Sequence, residues 1–345
     1  MRPRCCKLSA VQSRTQRSAS SRVSKSAPAV DGLLRRRVIF VTGKGGTGKT
    51  TITAALALLA ARADKRVLAI DVEAAGDLAA ALGMRAAGSK PQLAQRNVSV
   101  IALSNVDSFQ EYLNIFFKIP RLTRSTPLGK IFDFIATGVP GPRDMLVVGK
   151  IAYEENRREN GRPLWDLIVV DSAASGHAVA HLAAPKALLS LVHGGMIAAQ
   201  VDWVEKLVRD DKRCTAVVCA LPEELPVQEA IELHDRLRAE AEVSVAACVL
   251  NRAFTESVPA AEKRLAEALA SPAHADAVIK RLGGSPEPLL DAAELASQLH
   301  EKTVAYARAL CSGVPVPMLT VPLHTSRPGL ATTRLVAEDI GGPPQ

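Results

Sequence analysis

The chain has 345 residues, 48% of them apolar and 3% aromatic, enough for a large buried core in one big domain or two. Its formal charge of +8 is unevenly spread: residues 1–37 hold ten Lys/Arg and one acid, Asp31, which leaves 33 basic against 34 acidic groups in residues 38–345. The body is therefore near neutral and its charge does not support nucleic-acid binding.

No apolar run reaches the roughly 20 residues of a membrane span. The six cysteines, Cys5, Cys6, Cys214, Cys219, Cys248 and Cys311, form no C-x-x-C pair, so neither a zinc clamp nor a thioredoxin-like motif is present. A soluble, cytoplasmic protein with reduced thiols is the expectation.

Residues 1–35 are Arg- and Ser-rich, nearly free of acids, and lack the apolar stretch of a secretory signal. An organelle transit peptide, a disordered basic arm and an upstream start codon all fit this composition. On each reading the segment stands outside the folded unit, expected as one domain over residues 36–340.

That unit begins with an apolar strand, Val38-Ile39-Phe40-Val41, followed by Gly43-Lys44-Gly45-Gly46-Thr47-Gly48-Lys49-Thr50-Thr51 and a helix-forming run from Thr53 to Arg62. The loop fits G-x-x-x-x-G-K-[ST]. Its glycines let backbone N–H groups turn inward around phosphate oxygens, Lys49 reaches the outer phosphates, and the Thr50 hydroxyl can ligate Mg2+. A helix opening at the end of the loop adds its positive N-terminus to the anion site. ATP with Mg2+ is the predicted ligand.

Further apolar runs are predicted as strands at 66–71, 98–103, 166–171, 215–220, 244–250 and 317–321, alternating with helices such as Pro226–Ala241 and Asp291–Leu310. Alternation of this kind predicts an α/β fold: a doubly wound, mostly parallel sheet of seven to eight strands, with the loops along one edge forming the ligand site. On the strand 215–220 and its lead-in, Cys214 and Cys219 are an odd number of residues apart and should face opposite sides.

A segment at about 105–163 breaks the rhythm. It carries Phe109, Phe116, Phe117, Phe132 and Phe134, and Phe109, Tyr112, Leu113, Phe116 and Phe117 follow a helical apolar spacing. This helical insertion either packs on the protein's own core or forms a groove for a hydrophobic client.

Two strands end in carboxylates. Asp71-Val72-Glu73 closes the second strand, and either acid can orient a water at the phosphates. Asp171-Ser172-Ala173-Ala174-Ser175-Gly176-His177 closes another, with Asp171 where a buried strand would present a Walker B aspartate to the Mg2+ shell. Gly176 can offer a backbone N–H near the γ-phosphate. His177 fits either a chemical role or a plain helix start.

These motifs together resemble the arsenical pump-driving ATPase family, which includes the targeting ATPase for tail-anchored membrane proteins and belongs to the deviant Walker A class of P-loop NTPases. The resemblance runs over about residues 36–340 and implies several roles. Lys49 would serve its own nucleotide, while Lys44 would cross a dimer interface to the partner's phosphates. Asn251 and Arg252, closing a late strand, and Pro322 and Leu323, following the last one, would flank the adenine, with Gly329 starting the final helix.

The departures from the family pattern are specific. Glu73 stands where the first switch has its water-activating aspartate, and Ala174 replaces the proline of D-T-A-P-T-G-H, so turnover would be slow or this would be the less active half of a pair. Zinc-bridging cysteines and a thiolate cluster for arsenite are absent.

The resemblance implies an MgATP-dependent ATPase that dimerises around nucleotide, as a homodimer or with a paralogous subunit, and couples hydrolysis to a bound partner or cargo. A nucleotide-gated targeting factor for hydrophobic membrane-protein segments, acting with a membrane-protein client or membrane partner, and a subunit of an arsenite-type efflux pump are the alternatives. A partitioning ATPase would need a basic face or an amphipathic C-terminal helix. An iron protein would need cysteines between Cys6 and Cys214, and there are none.

Overall fold

The computed structural model describes residues 27–73, 76–103, 142–191, 194–259 and 287–342, with scattered positions between 260 and 286. Chain order runs α1 (Ala27–Leu34), β1 (Val38–Gly43), α2 (Lys49–Arg62), β2 (Val67–Asp71), α3 (Asp77–Ala81), β3 (Gln92–Gln95) and β4 (Val98–Ala102). It continues with α4 (Pro142–Asn156), a short hairpin of β5 (Arg158–Glu159) and β6 (Arg162–Pro163), β7 (Leu167–Asp171), α5 (Ser175–Leu189) and α6 (Gly195–Arg209). The last part comprises β8 (Cys214–Ala220), α7 (Glu224–Ala239), β9 (Val245–Ala253), α8 (Glu287–Gly313), β10 (Met318–Pro322) and α9 (Leu330–Gly341).

Eight strands form one sheet in the order β10-β9-β8-β1-β7-β2-β4-β3, with every neighbouring pair parallel except β3 with β4. The predicted doubly wound α/β architecture is what forms. The edge strand β3 was not foreseen: Gln92-Leu-Ala-Gln95 is short and largely exposed, and a four-residue strand without an apolar run leaves little periodicity to read.

Alternation in β1 explains the layering. Val38 and Phe40 point into one core with α4, α5, α6, α7 and α8, while Ile39 and Val41 point into the other with α1, α2 and α9. The strands flanking β1 are buried along their whole length, as a sheet covered on both faces requires. Cys214 and Cys219 fall in opposite cores, as their spacing required.

One boundary differs from expectation. Residues 27–34, assigned to the basic tail, form α1, whose Val30 and Leu33 are buried beneath the sheet; two apolar anchors one turn apart outweigh a polar composition averaged over the whole segment. Of the expected insertion, only residues 142–163 are described. There α4 packs on the protein's own core through Met145, Val148, Ile151 and Ala152. The stripe Phe109–Phe117 and Phe132 and Phe134 lie outside the described residues. Among the described residues no helix is long and apolar enough to cross a membrane.

At the edge where β1 and β8 begin, Glu155 at the end of α4 is buried and accepts from Arg37 Nε at 3.1 Å and Arg213 Nη2 at 2.7 Å. Arg37 also donates to the Asp166 carbonyl at 3.1 Å, so three elements are tied at the entry to the central strands. Glu155→Ala is expected to lower stability by about 2 kcal/mol, because it strips two half-shielded guanidinium groups of their carboxylate. The check is a lower urea midpoint with unchanged slope.

Candidate functional site

The site follows from strand register. Asp171 pairs with Val41 of β1 on one side and with Asp71 of β2 on the other, so three strands remote in sequence end together. With strands about 4.8 Å apart, both carboxylates come to lie beside the glycine loop that leaves β1.

The loop is wound around the carbonyl of Lys44. That oxygen accepts from the Thr47 hydroxyl at 2.9 Å, the Thr47 N–H at 3.4 Å and the Lys49 ammonium at 3.3 Å. From β9, Asn251 Nδ2 donates to the Thr47 carbonyl at 2.8 Å, and its Oδ1 accepts from the Arg252 N–H at 2.9 Å. Gly48, with φ of 89°, caps α2 here; a Cβ on it would stand 2.2 Å from Asn251 Nδ2. A Cβ on Gly43 would stand 2.3 Å from the Cys219 carbonyl oxygen of β8. Both positions exclude any side chain.

A cleft opens beside the loop, lined by Lys49, Thr50, Asp71, Glu73, Asp77, Asp171 and Ser172. Asp171 is buried at its base, hydrogen-bonded by the Thr50 hydroxyl and by Thr53 Oγ1 at 3.4 Å. Burial pushes its carboxyl up to about 7, and the neighbouring Asp71 adds to the rise, while Thr50, Lys49 and Thr53 act against it. Asp71 Oδ2 accepts from the Gly76 N–H at 3.2 Å, which ties β2 to the start of α3.

The cleft thus gathers four carboxylates, two hydroxyls and one ammonium. The Ser172 hydroxyl is buried without a hydrogen-bond partner, an arrangement that costs free energy unless something completes it. Hard oxygen donors at Thr50 and Asp171 beside a glycine loop with a lysine fit Mg2+ and a polyphosphate. Among the described residues no three His, Cys, Asp or Glu side chains converge to cage a metal by themselves. A cation here would draw the rest of its shell from water and phosphate, the habit of Mg2+.

The remaining expected residues fall as follows. Glu73 is exposed at the mouth of the cleft, and Gly176 and His177 are exposed in the first turn of α5. Thr51 lies in the first turn of α2. At the far side of the sheet edge Pro322 pairs with Ala253, and the Leu323 N–H donates to the Ala253 carbonyl at 3.0 Å. The segments holding Asn251, Arg252, Pro322 and Leu323 are therefore neighbours, although only Asn251 touches the loop. Arg252 is exposed with φ of 52°, and Gly329 caps α9 as expected.

Lys44 extends away from the cleft and pairs with Glu229 of α7, Nζ to Oε1 2.5 Å. Sequence reasoning missed Ser172, Asp77 and Glu229. The first two sit within a residue or two of expected switch segments and were within reach; Glu229 is an ordinary helical glutamate 185 positions from Lys44, with no local signal.

A family model described as anion-transporting ATPase matches residues 36–202. The chain is 35% identical to ATPase BagA of Mycobacterium tuberculosis over 222 residues, 63% of this chain and 65% of that protein. It is 31% identical to a putative arsenical pump-driving ATPase 2 of Aquifex aeolicus, over 41% of this chain and 46% of the relative. It is 30% identical to ATPase get3 of Schizosaccharomyces japonicus, over 44% of each. The matches thus span less than two thirds of the length of these relatives.

Asp171 carries a clear expectation. Its folded carboxyl titrates near 7, above the usual carboxylate range, so the folded state is increasingly penalised as pH rises from about 4 through 7. Asp171→Asn is expected to raise the melting temperature of the protein free of nucleotide and Mg2+ at pH 8, by about 1 kcal/mol of stability, and to leave it unchanged near pH 4. Calorimetry at the two pH values checks it.

Proposed function

We propose that this chain, whose residues 36–202 match the anion-transporting ATPase model, binds MgATP in the cleft beside its glycine loop and hydrolyses it as a nucleotide-closed dimer. The observation that carries the reading is the convergence of Lys49, Thr50 and Asp171 on one cleft that also holds the partnerless Ser172 hydroxyl.

In this reading Lys49 exchanges the Lys44 carbonyl for the outer phosphates of its own nucleotide. Thr50 and Asp171 hold Mg2+, which when bound neutralises charge on the phosphate oxygens. Glu73, exposed at the mouth of the cleft, places the attacking water, with Asp71 behind it fixing the loop through Gly76. Asn251 keeps the loop in its phosphate-ready shape, while Arg252, Pro322 and Leu323 flank the base. Gly176 is close enough in sequence to Asp171 to report the γ-phosphate to α5.

These 345 residues hold one glycine loop of this kind, and in this reading the second Lys44 is supplied by another copy or a paralogue. Hydrolysis resets that closed pair, and the partner or cargo is whatever binds one state better than the other. Cys214, Cys219 and Cys248 are held protonated by burial, the thiols of Cys214 and Cys248 pushed up to about 12, so they offer no thiolate to a soft metalloid.

Three substitutions test the reading. Lys49→Ala is expected to abolish nucleotide binding, followed with a fluorescent ATP analogue. Lys44→Ala should bind nucleotide nearly as tightly but lose turnover by about 100-fold or more, the scale of a lost charge on a transferring phosphoryl group. Glu73→Gln should bind ATP and accumulate as the closed dimer on a sizing column. Unchanged turnover in Lys44→Ala would remove the cross-subunit role, and unchanged turnover in Glu73→Gln would move water placement to Asp71.

A further inference from the structure

Lys44 is tied at both ends within its own chain. Its carbonyl is the acceptor for Thr47 and Lys49, and its ammonium lies 2.5 Å from Glu229 Oε1. Both side chains are 35% exposed, shielded enough to favour the pair and open enough to exchange it.

The pairing is imposed by topology. β8 lies against β1 along its whole length, with Gly43 opposite Cys219, so the loop leaving β1 and the helix following β8 rise side by side from one sheet edge. Glu229 sits on the second turn of α7, whose inner face is fixed in the core by Val227, Ala230 and Leu233. The carboxylate is thereby presented to Lys44 by a rigid element and not by a mobile loop.

We propose that Glu229 is a positioning residue that restrains Lys44 in cis, so that dimer closure requires Lys44 to exchange the Glu229 carboxylate for the partner's phosphates. This rests on the cross-subunit role assigned to Lys44 above. The restraint is linked to occupancy of the chain's own cleft. Phosphate that captures the Lys49 ammonium withdraws one of the donors to the Lys44 carbonyl and leaves the Thr47 hydroxyl and N–H in place. A loaded chain thus holds Lys44 less firmly through its backbone, with the Glu229 pair still to displace.

A half-exposed pair of this kind shifts an equilibrium by about two- to fivefold. A two-fold dimer breaks two of them, so the effect on its dissociation constant is the product, about four- to twenty-fivefold.

The experiment is a dilution series by sedimentation velocity, with Mg2+ and the nonhydrolysable analogue AMP-PNP, on wild type, Glu229→Gln, Lys44→Ala and the double variant. Melting curves without nucleotide and a parallel Glu229→Ala series control for folding. Glu229→Gln is expected to dimerise about four- to twenty-fivefold more tightly than wild type, and to change nothing in the Lys44→Ala background.

If Lys44→Ala dimerises like wild type, the cross-subunit reading itself fails and the restraint with it. If Lys44→Ala is impaired while Glu229→Gln matches wild type, only the restraint fails. Weaker dimerisation of Glu229→Gln would make Glu229 a contact of the closed pair. Tightening that persists without Lys44 would assign the effect to another partner; either result overturns the proposal.

Discussion

Everything at this site depends on β7 inserting between β1 and β2. The two outer strands are joined by a single helix, yet the strand that separates them is contributed by sequence about 100 residues further on. Once β7 is in register, Asp171 has Val41 on one side and Asp71 on the other. A slip by one residue would send Asp171 to the other face of the sheet and replace it with an apolar neighbour. Leu167, Ile168, Val169 and Val170 are all buried, and their division between the two cores is what holds the register. The chemistry at the sheet edge is positioned by aliphatic side chains that take no part in it.

That placement has an electrostatic cost. Asp171 ends a fully buried strand, next to a second carboxylate, with two threonine hydroxyls and one lysine as its relief. Protonation is the cheapest response of the isolated group, and a divalent cation is the other. Ser172, buried beside it without a partner, adds a second group that folding alone leaves incomplete. Such a site is organised for an occupant, with stability conceded locally so that binding can recover it.

Much of this was legible in the sequence because it is written in local pattern. The glycine loop, the strands ending in Asp71 and Asp171, and the alternation of strands with helices each declare themselves within about ten residues. The opposite facing of Cys214 and Cys219 followed from strand periodicity alone. What sequence could not supply was either weak in period or purely tertiary. β3 has four residues and no apolar run, and α1 hides two anchoring residues in a polar stretch. The bond from Asn251 to the Thr47 carbonyl and the pairing of Lys44 with Glu229 span 204 and 185 residues. No local propensity marks such pairs; they exist because β8 and β9 lie beside β1 in the sheet order.

The Asn251 bond also joins the end of β9 to the glycine loop. Asn251 spends Nδ2 on the glycine loop and Oδ1 on the Arg252 N–H, beside the irregular register where β9 pairs with the end of β10. The ends of β9 and β10 and the glycine loop are thus connected through one amide with both ends used. Gly48 has no room for a side chain because that amide is there, so the shape of the loop depends on the far strand as much as on its own glycines. A displacement of β9 would be felt first as a change in the loop that carries Lys44 and Lys49. Coupling of this kind needs no separate relay, since two elements sharing one hydrogen-bonded side chain cannot move independently without breaking it.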